Sequence, residues 1–90
     1  METLYHGRMV EAIRMDGPWV FINWLYPGRN KFTAIKDVRQ IEAQIKEEGL
    51  RGWYATSEKE HKTMHKILSK MGASMFREDE HNLHFLKEVV

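Results

Sequence analysis

The feature that most constrains this chain is an alternation in its middle third. WVFINWLY (19–26) is a nearly unbroken apolar run, and KFTAIKDVRQIEAQIKEEG (31–49) follows it with a different period. In the first stretch β-branched and aromatic residues predominate, which marks a strand, and its continuity predicts a strand covered on both faces. In the second, Ile35, Val38, Ile41 and Ile45 recur along one helical stripe, while Lys36, Arg39, Gln40 and Glu47 fall elsewhere. Thr33 reads as the helix N-cap and Gly49 as the residue just past its end. RGWYAT (51–56) is then a second strand. SEKE (57–60) has the form of a capping box, with Ser57 as N-cap and Glu60 three residues on, and it opens a helix carrying Met64, Ile67, Leu68 and Met71 before Gly72. A strand, a crossover helix and another strand imply parallel neighbours in one sheet.

The ends of the chain read differently. TLYHGRMVEAIRM (3–15) turns at His6-Gly7-Arg8, and ASMFRE (73–78) and NLHFLKEV (82–89) turn at Asp79-Glu80-His81, so each end predicts an antiparallel hairpin. The expected order is β-β-β-α-β-α-β-β, an α/β mixed sheet with two helices in a single domain over residues 1–90. Ninety residues with 42% hydrophobic and 11% aromatic content are enough for one modest core. No run approaches the roughly 18 apolar residues of a membrane span, and METLYHGRM lacks the apolar centre of a secretory signal. With no cysteine, disulfides, thiolate nucleophiles and Cys-based zinc sites are excluded. A cytoplasmic location is the expectation.

The net charge of +1 is unevenly spread, with nine basic and six acidic residues in 31–70 but two and four in 71–90. A domain that grips nucleic acid by its phosphates carries a larger excess, so nucleic acid is not indicated as a partner. Lys59, Lys62 and Lys66 gather on the second helix and its approach, where they offer a basic face to an acidic protein partner. His61 and His65 share that helix face at metal-binding spacing, but H-K-T-M-H lacks the glutamate of H-E-x-x-H and no third ligand is evident. No metal is expected, and His61, His65, His81 and His84 are expected in solvent. Glu78, Asp79 and Glu80 read as a solvated hairpin tip.

The turn between the first long strand and the first helix, LYPGRNKFT, has the position of a phosphate cradle at a helix N-terminus. Tyr26, Gly28, Arg29, Asn30, Lys31 and Thr33 are its candidate anion-binding residues. An ordinary strand-to-helix turn with solvated charges accounts for it more simply.

These patterns together resemble the GNAT-type N-acetyltransferase superfamily. KILSKMGA matches the end of that family's last helix, MFREDEHNLHFLKEV its closing hairpin, and WVFINWLYPGRNKFTAIKDVRQIEAQIKEEG its central strand, turn and helix in outline. The resemblance implies acetyl-CoA as cofactor and a thioester lying near Trp53 and Tyr54, with Tyr54 the one nearby candidate for a general acid, although core packing or surface aromatic contact accounts for both residues more simply. The departures are specific. The family's Q/R-x-x-G-x-G/A turn meets Asn30 at its first position and Lys31 and Thr33 among its glycines, so extra Cβ atoms crowd the pyrophosphate. The family's helix asparagine falls on His61, and the tyrosine that protonates the leaving thiolate falls on Leu68. The helices that precede the central strands in the family have no room in 90 residues, which would uncover part of the aromatic cluster Trp19, Phe21, Trp24 and Tyr26 and allow self-association.

A short chain of this kind also resembles small phage-encoded members, among them internal virion proteins of short-tailed phages. That closer likeness implies a location in host cytoplasm or virion. Two functions follow from the whole. The first is a non-catalytic module that keeps the fold, binds no cofactor and contacts a protein. The alternative is a minimal acetyl-CoA-dependent N-acetyltransferase acting on an amine of a protein partner. The lost glycines and the lost tyrosine incline the sequence toward the first.

Overall fold

The structure is a computed structural model that describes residues 2–25 and 31–89, with Lys31 described by its backbone alone. Its elements run β1 (Glu2–His6), β2 (Val10–Arg14), β3 (Trp19–Trp24), α1 (Lys31–Glu47), β4 (Gly52–Glu58), α2 (Lys62–Lys70), β5 (Ser74–Glu78) and β6 (Asn82–Glu88). This is the expected order. The six strands form one sheet in the spatial order β1-β2-β3-β4-β6-β5. Only β3 and β4 pair in parallel, and α1 is the crossover between them; the other neighbours are antiparallel.

Strand periodicity decides what lies on each face. Val10 and Ala12, Val20 and Ile22, Trp53 and Ala55, and Phe85 alternate along four strands and enter one buried cluster. Ala34, Val38, Ile41 and Ile45 of α1 and Met64 and Leu68 of α2 complete it, so both helices lie on the same face of the sheet. Trp53 is fully buried there, and its Nε1–H donates to Glu42 of α1 at 2.8 Å. The side chains buried this completely contribute about 1.5–3 kcal/mol each. Asp37, also buried, ties α1 to the first hairpin: its Oδ2 accepts the backbone N–H groups of Met9 (2.8 Å) and Val10 (3.2 Å). A Cβ at Gly7, in that turn, would overlap the Asp37 carboxylate. Glycine there is a matter of close approach.

The opposite face has no helix over it among the described residues. A row runs across it, Ile13 beside Phe21, Phe21 beside Tyr54 and Tyr54 beside Leu86, and all four are half-buried. This corrects the expectation that 19–26 is covered on both faces. The rings on the open side shield one another sideways, with Phe21 and Tyr54 centroids 5.3 Å apart, and Arg51 stands 5.8 Å over the Trp19 ring.

Two helix starts also differ from the sequence reading. Helix α1 begins at Lys31, which puts Thr33 inside the first turn instead of at the cap. Strand β4 runs on to Glu58, because Ser57 and Glu58 gain ladder partners in Leu83 and Asn82 of β6. The capping box is therefore spent on strand, and α2 begins at Lys62 after His61, which makes no side-chain cap bond. Both helix stops fall as expected, with Gly49 at φ 71° and Gly72 at φ 92°.

Candidate functional site

The two parallel strands part company before they end. Their ladder runs from Trp19 beside Gly52 to Ile22 beside Ala55 and then stops. Beyond it, Asn23 and Trp24 stay paired to β2, and Thr56, Ser57 and Glu58 stay paired to β6. Between these ends the sheet opens, and a cleft of about 220 Å³ fills the opening, lined by Asn23, Trp24, Thr56, Ser57, Glu58, His61, Met64 and Asn82. Two strand edges that face each other without bonding leave backbone donors and acceptors turned toward the gap. Trp24 adds a side-chain donor: its Nε1 is shielded from solvent and has no hydrogen-bond partner among the described residues. A ligand that carries amides could satisfy both edges in the manner of an inserted strand. The N-terminus of α1 follows the end of β3 after residues 26–30, and its first turn holds no acidic side chain. Its dipole favours an anion there.

A second arrangement lies on the open face beside this cleft. Tyr54 precedes Thr56 on the same face of β4, and His84 of β6 is the register partner of Thr56. His84 is 7% exposed. Its Nε2 meets Asp79 Oδ2 at 2.7 Å, and its Nδ1 meets the Tyr54 hydroxyl at 3.3 Å. Asp79 Oδ1 accepts the backbone N–H groups of Asn82 (2.8 Å) and His81 (3.0 Å). The bond to His84, followed by those from Asn82 and His81, holds the Asp79 carboxyl well below the usual carboxylate range. An ionised carboxylate only accepts, so Nε2 carries the proton. In the neutral ring Nδ1 is then the acceptor and the Tyr54 hydroxyl donates to it. The expectation of His84 in solvent and of a merely solvated Glu78-Asp79-Glu80 tip is thus corrected. Alternation on β6 turns His84 toward the Tyr54 ring, which stacks on it at 6.0 Å, and the hairpin brings Asp79 under it.

This carboxyl contributes to acid stability with a definite sign. A group with a depressed folded-state pKa contributes stability that is present above its unfolded value, near pH 4, and is lost as pH falls through the folded value. Asp79→Asn is therefore expected to lower the melting temperature at neutral pH and to flatten its fall below about pH 4. Thermal unfolding of both proteins between neutrality and strong acid measures this. Parallel curves would show that Asp79 contributes nothing through its charge.

The other sequence candidates divide. Tyr26, Gly28, Arg29 and Asn30 lie outside the described residues; Lys31 and Thr33 occupy the first turn of α1. Trp53 belongs to the core and not to the cleft, while Tyr54 is half-buried on the open face. Lys62 and Lys66 are exposed, but Lys59 is joined to Glu78 at 2.8 Å and is not a free cation. His61 is exposed, whereas His65 is half-buried, with Nε2 2.9 Å from the Glu58 carbonyl oxygen and its ring 5.7 Å from Phe85. No group of three or more metal-ligating side chains comes together among the described residues. No helix among them is long and apolar enough to cross a membrane. The cleft itself was not visible in the sequence, because no residue type marks where a parallel ladder stops.

The fold is shared with solved structures. The chain is similar to the Campylobacter jejuni N-acetyltransferase PseH in complex with acetyl coenzyme A, with a TM-score of 0.68 and 8% identity over 88% of this chain and 57% of that one. It is similar to Salmonella typhimurium yncA with its cofactor acetyl-CoA, with a TM-score of 0.70 and 11% identity over 90% and 57% of the two chains. A GNAT-family acetyltransferase from Bacillus anthracis gives 0.65 and 16% over 90% and 58%. The chain thus has the fold of the GNAT acetyltransferases and spans somewhat over half the length of each of these structures. No protein-family model and no curated protein matches the sequence.

Proposed function

We propose that the protein is an acetyl-CoA-dependent N-acyltransferase that binds its donor in the cleft between β3 and β4 and acylates an amine, a protein amine included. The observation that carries this reading is the end of the β3–β4 ladder at Ile22 and Ala55, which leaves facing strand edges beside the unpartnered Trp24 Nε1. The same fold accompanies acetyl-CoA in the Campylobacter and Salmonella structures. The residues present suit such a ligand. Thr56 and Ser57 offer hydroxyls, Trp24 offers an N–H, and the strand edges at 23–24 and 56–58 offer backbone groups to an amide-bearing arm. Met64 closes the helix side of the cleft with apolar surface. Lys31 and Thr33 stand in the first turn of α1, where the helix dipole favours an anion, and Gly28, Arg29 and Asn30 precede them in the chain. Bound acetyl-CoA would supply the activated acyl group.

The non-catalytic reading rests on missing glycines, on Leu68 in place of a tyrosine and on the missing acceptor helices. Leu68 is fully buried in the core and could serve no proton transfer in either case. The open aromatic face is compatible with a protein partner, but it equally leaves room for an acceptor. The test is turnover: purified protein with acetyl-CoA and a set of primary amines, read by release of free thiol and by mass of the product. Amine-dependent thiol release with a matching acetylated product is expected. Release at the protein-free rate with every amine would return the binding-module reading to first place.

A further inference from the structure

We propose that Asp79, His84 and Tyr54 form a proton relay that deprotonates a primary amine carried on an apolar body and docked on the open face of the sheet; this rests on the acyl-transfer reading above. Geometry carries it. The three groups are joined in series, Asp79 Oδ2 to His84 Nε2 at 2.7 Å and His84 Nδ1 to the Tyr54 hydroxyl at 3.3 Å. They come from three pieces of chain, β4, the β5–β6 turn and β6. The direction of each bond is fixed, since Asp79 only accepts and leaves Nδ1 to accept from Tyr54. Asp79 is itself fixed by two backbone N–H groups, so the ring is held at one end by a positioned charge and ends at a phenol at the other. Thr56, which lines the cleft, lies beside His84 in the ladder and two residues from Tyr54 on the same face. The relay thus shares Thr56 as a neighbour with the cleft and opens on the side of the sheet that no described helix covers.

The surroundings select the amine. Phe76 is 53% exposed and its ring stands 6.0 Å from Tyr54 and 6.2 Å from His84, while Phe21 lies 5.3 Å from Tyr54 on the other side. Such rings bury an apolar substituent and attract an ammonium group through their faces. A primary amine is charged at neutral pH and has no lone pair until it loses a proton. In the relay one N–H bond of the ammonium breaks and its electron pair stays on nitrogen. The proton passes to the Tyr54 oxygen as the hydroxyl proton passes to His84 Nδ1. The result is a neutral amine, an intact Tyr54 hydroxyl and an imidazolium facing the Asp79 carboxylate. Reversal through Tyr54 after the amine has left returns the proton to solvent. Tyr54 is the catalytic residue of this step; His84 accepts through it, and Asp79 is a positioning residue.

Two measurements test it. In the free protein, long-range proton–nitrogen NMR of His84 at neutral pH should show the Nε2–H form with Nδ1 unprotonated; the Nδ1–H form would overturn the relay. In turnover, phenethylamine, charged at neutral pH, is compared with aniline, which is neutral there. Tyr54→Phe and His84→Gln, each shown folded by its melting curve, should lower kcat with phenethylamine on the order of 100-fold. The loss with aniline should be less than about 10-fold, and the acetyl-CoA dissociation constant should not change. Equal losses with both amines, or none, would overturn the relay while leaving acyl transfer in place. A wild-type protein that acetylates other amines but not phenethylamine would overturn the relay alone, and one that acetylates no amine of the set would overturn both readings.

Discussion

Gly52→Val is expected to leave the domain unfolded at 37 °C. Gly52 sits between two ladders, beside Trp19 of β3 and Glu88 of β6. A Cβ built on it would overlap the backbone carbonyl oxygen of Lys87 and lie 2.7 Å from the Trp19 ring. The ring can turn, but the carbonyl belongs to the β4–β6 ladder and moves only if those strands separate. The cost should exceed about 4 kcal/mol, against a total of roughly 5–15 kcal/mol for a domain of this kind. Gly49→Ala is the control. Nothing lies within 4 Å of its added Cβ, and only its φ of 71° opposes a side chain, at about 1–2 kcal/mol. Circular dichroism melts of both variants separate the cases: no cooperative transition for Gly52→Val, and a drop of some 4–16 °C for Gly49→Ala. A folded Gly52→Val protein would mean that β4 and β6 lie farther apart than described.

Thr56→Trp should abolish donor binding while preserving the fold. Thr56 is half-buried at the mouth of the cleft and on the open face, so a large ring there has a direction in which to lie without entering the core. It would occupy space between the parted strands that an amide-bearing arm needs. Acetyl-CoA affinity should fall by at least about 100-fold, close to 2.7 kcal/mol, with a melting temperature near that of the wild type. Unchanged affinity would place the donor outside this cleft.

How much of this was legible in the sequence follows from the physics of each element. Periodicity is a local property, so the element order, the two hairpins and the stripe Val38, Ile41 and Ile45 could be read directly. Gly49 and Gly72 marked helix ends because a left-handed residue is needed there. Ser57 misled because its local signal favoured a cap, while two extra ladder pairs to β6 held it in a strand; a pairing partner some 26 residues away leaves no trace in a four-residue motif. The continuous apolar run 19–26 could not tell a strand covered on both faces from one whose second face is shielded by its neighbours' rings. His84 was unreadable for the same reason. Its burial depends on Tyr54 and on Asp79, which the hairpin brings together only in three dimensions. Tyr54 itself was a legible candidate, but as a lone acid; its partners came from the fold. Lys59 was legible as a charge and not as half of an ion pair with Glu78.

The measurement that tests the central claim most directly is an amide NMR titration of the ¹⁵N-labelled protein with acetyl-CoA. Binding in the cleft between β3 and β4 predicts the largest shifts at Asn23, Trp24, Thr56, Ser57 and Glu58 and in the first turn of α1, with the Trp24 indole N–H moving as it gains an acceptor. Shifts confined to the groove lined by Arg39, Glu42, Lys70 and Lys87 between the two helices, or no shift at millimolar ligand, would contradict it.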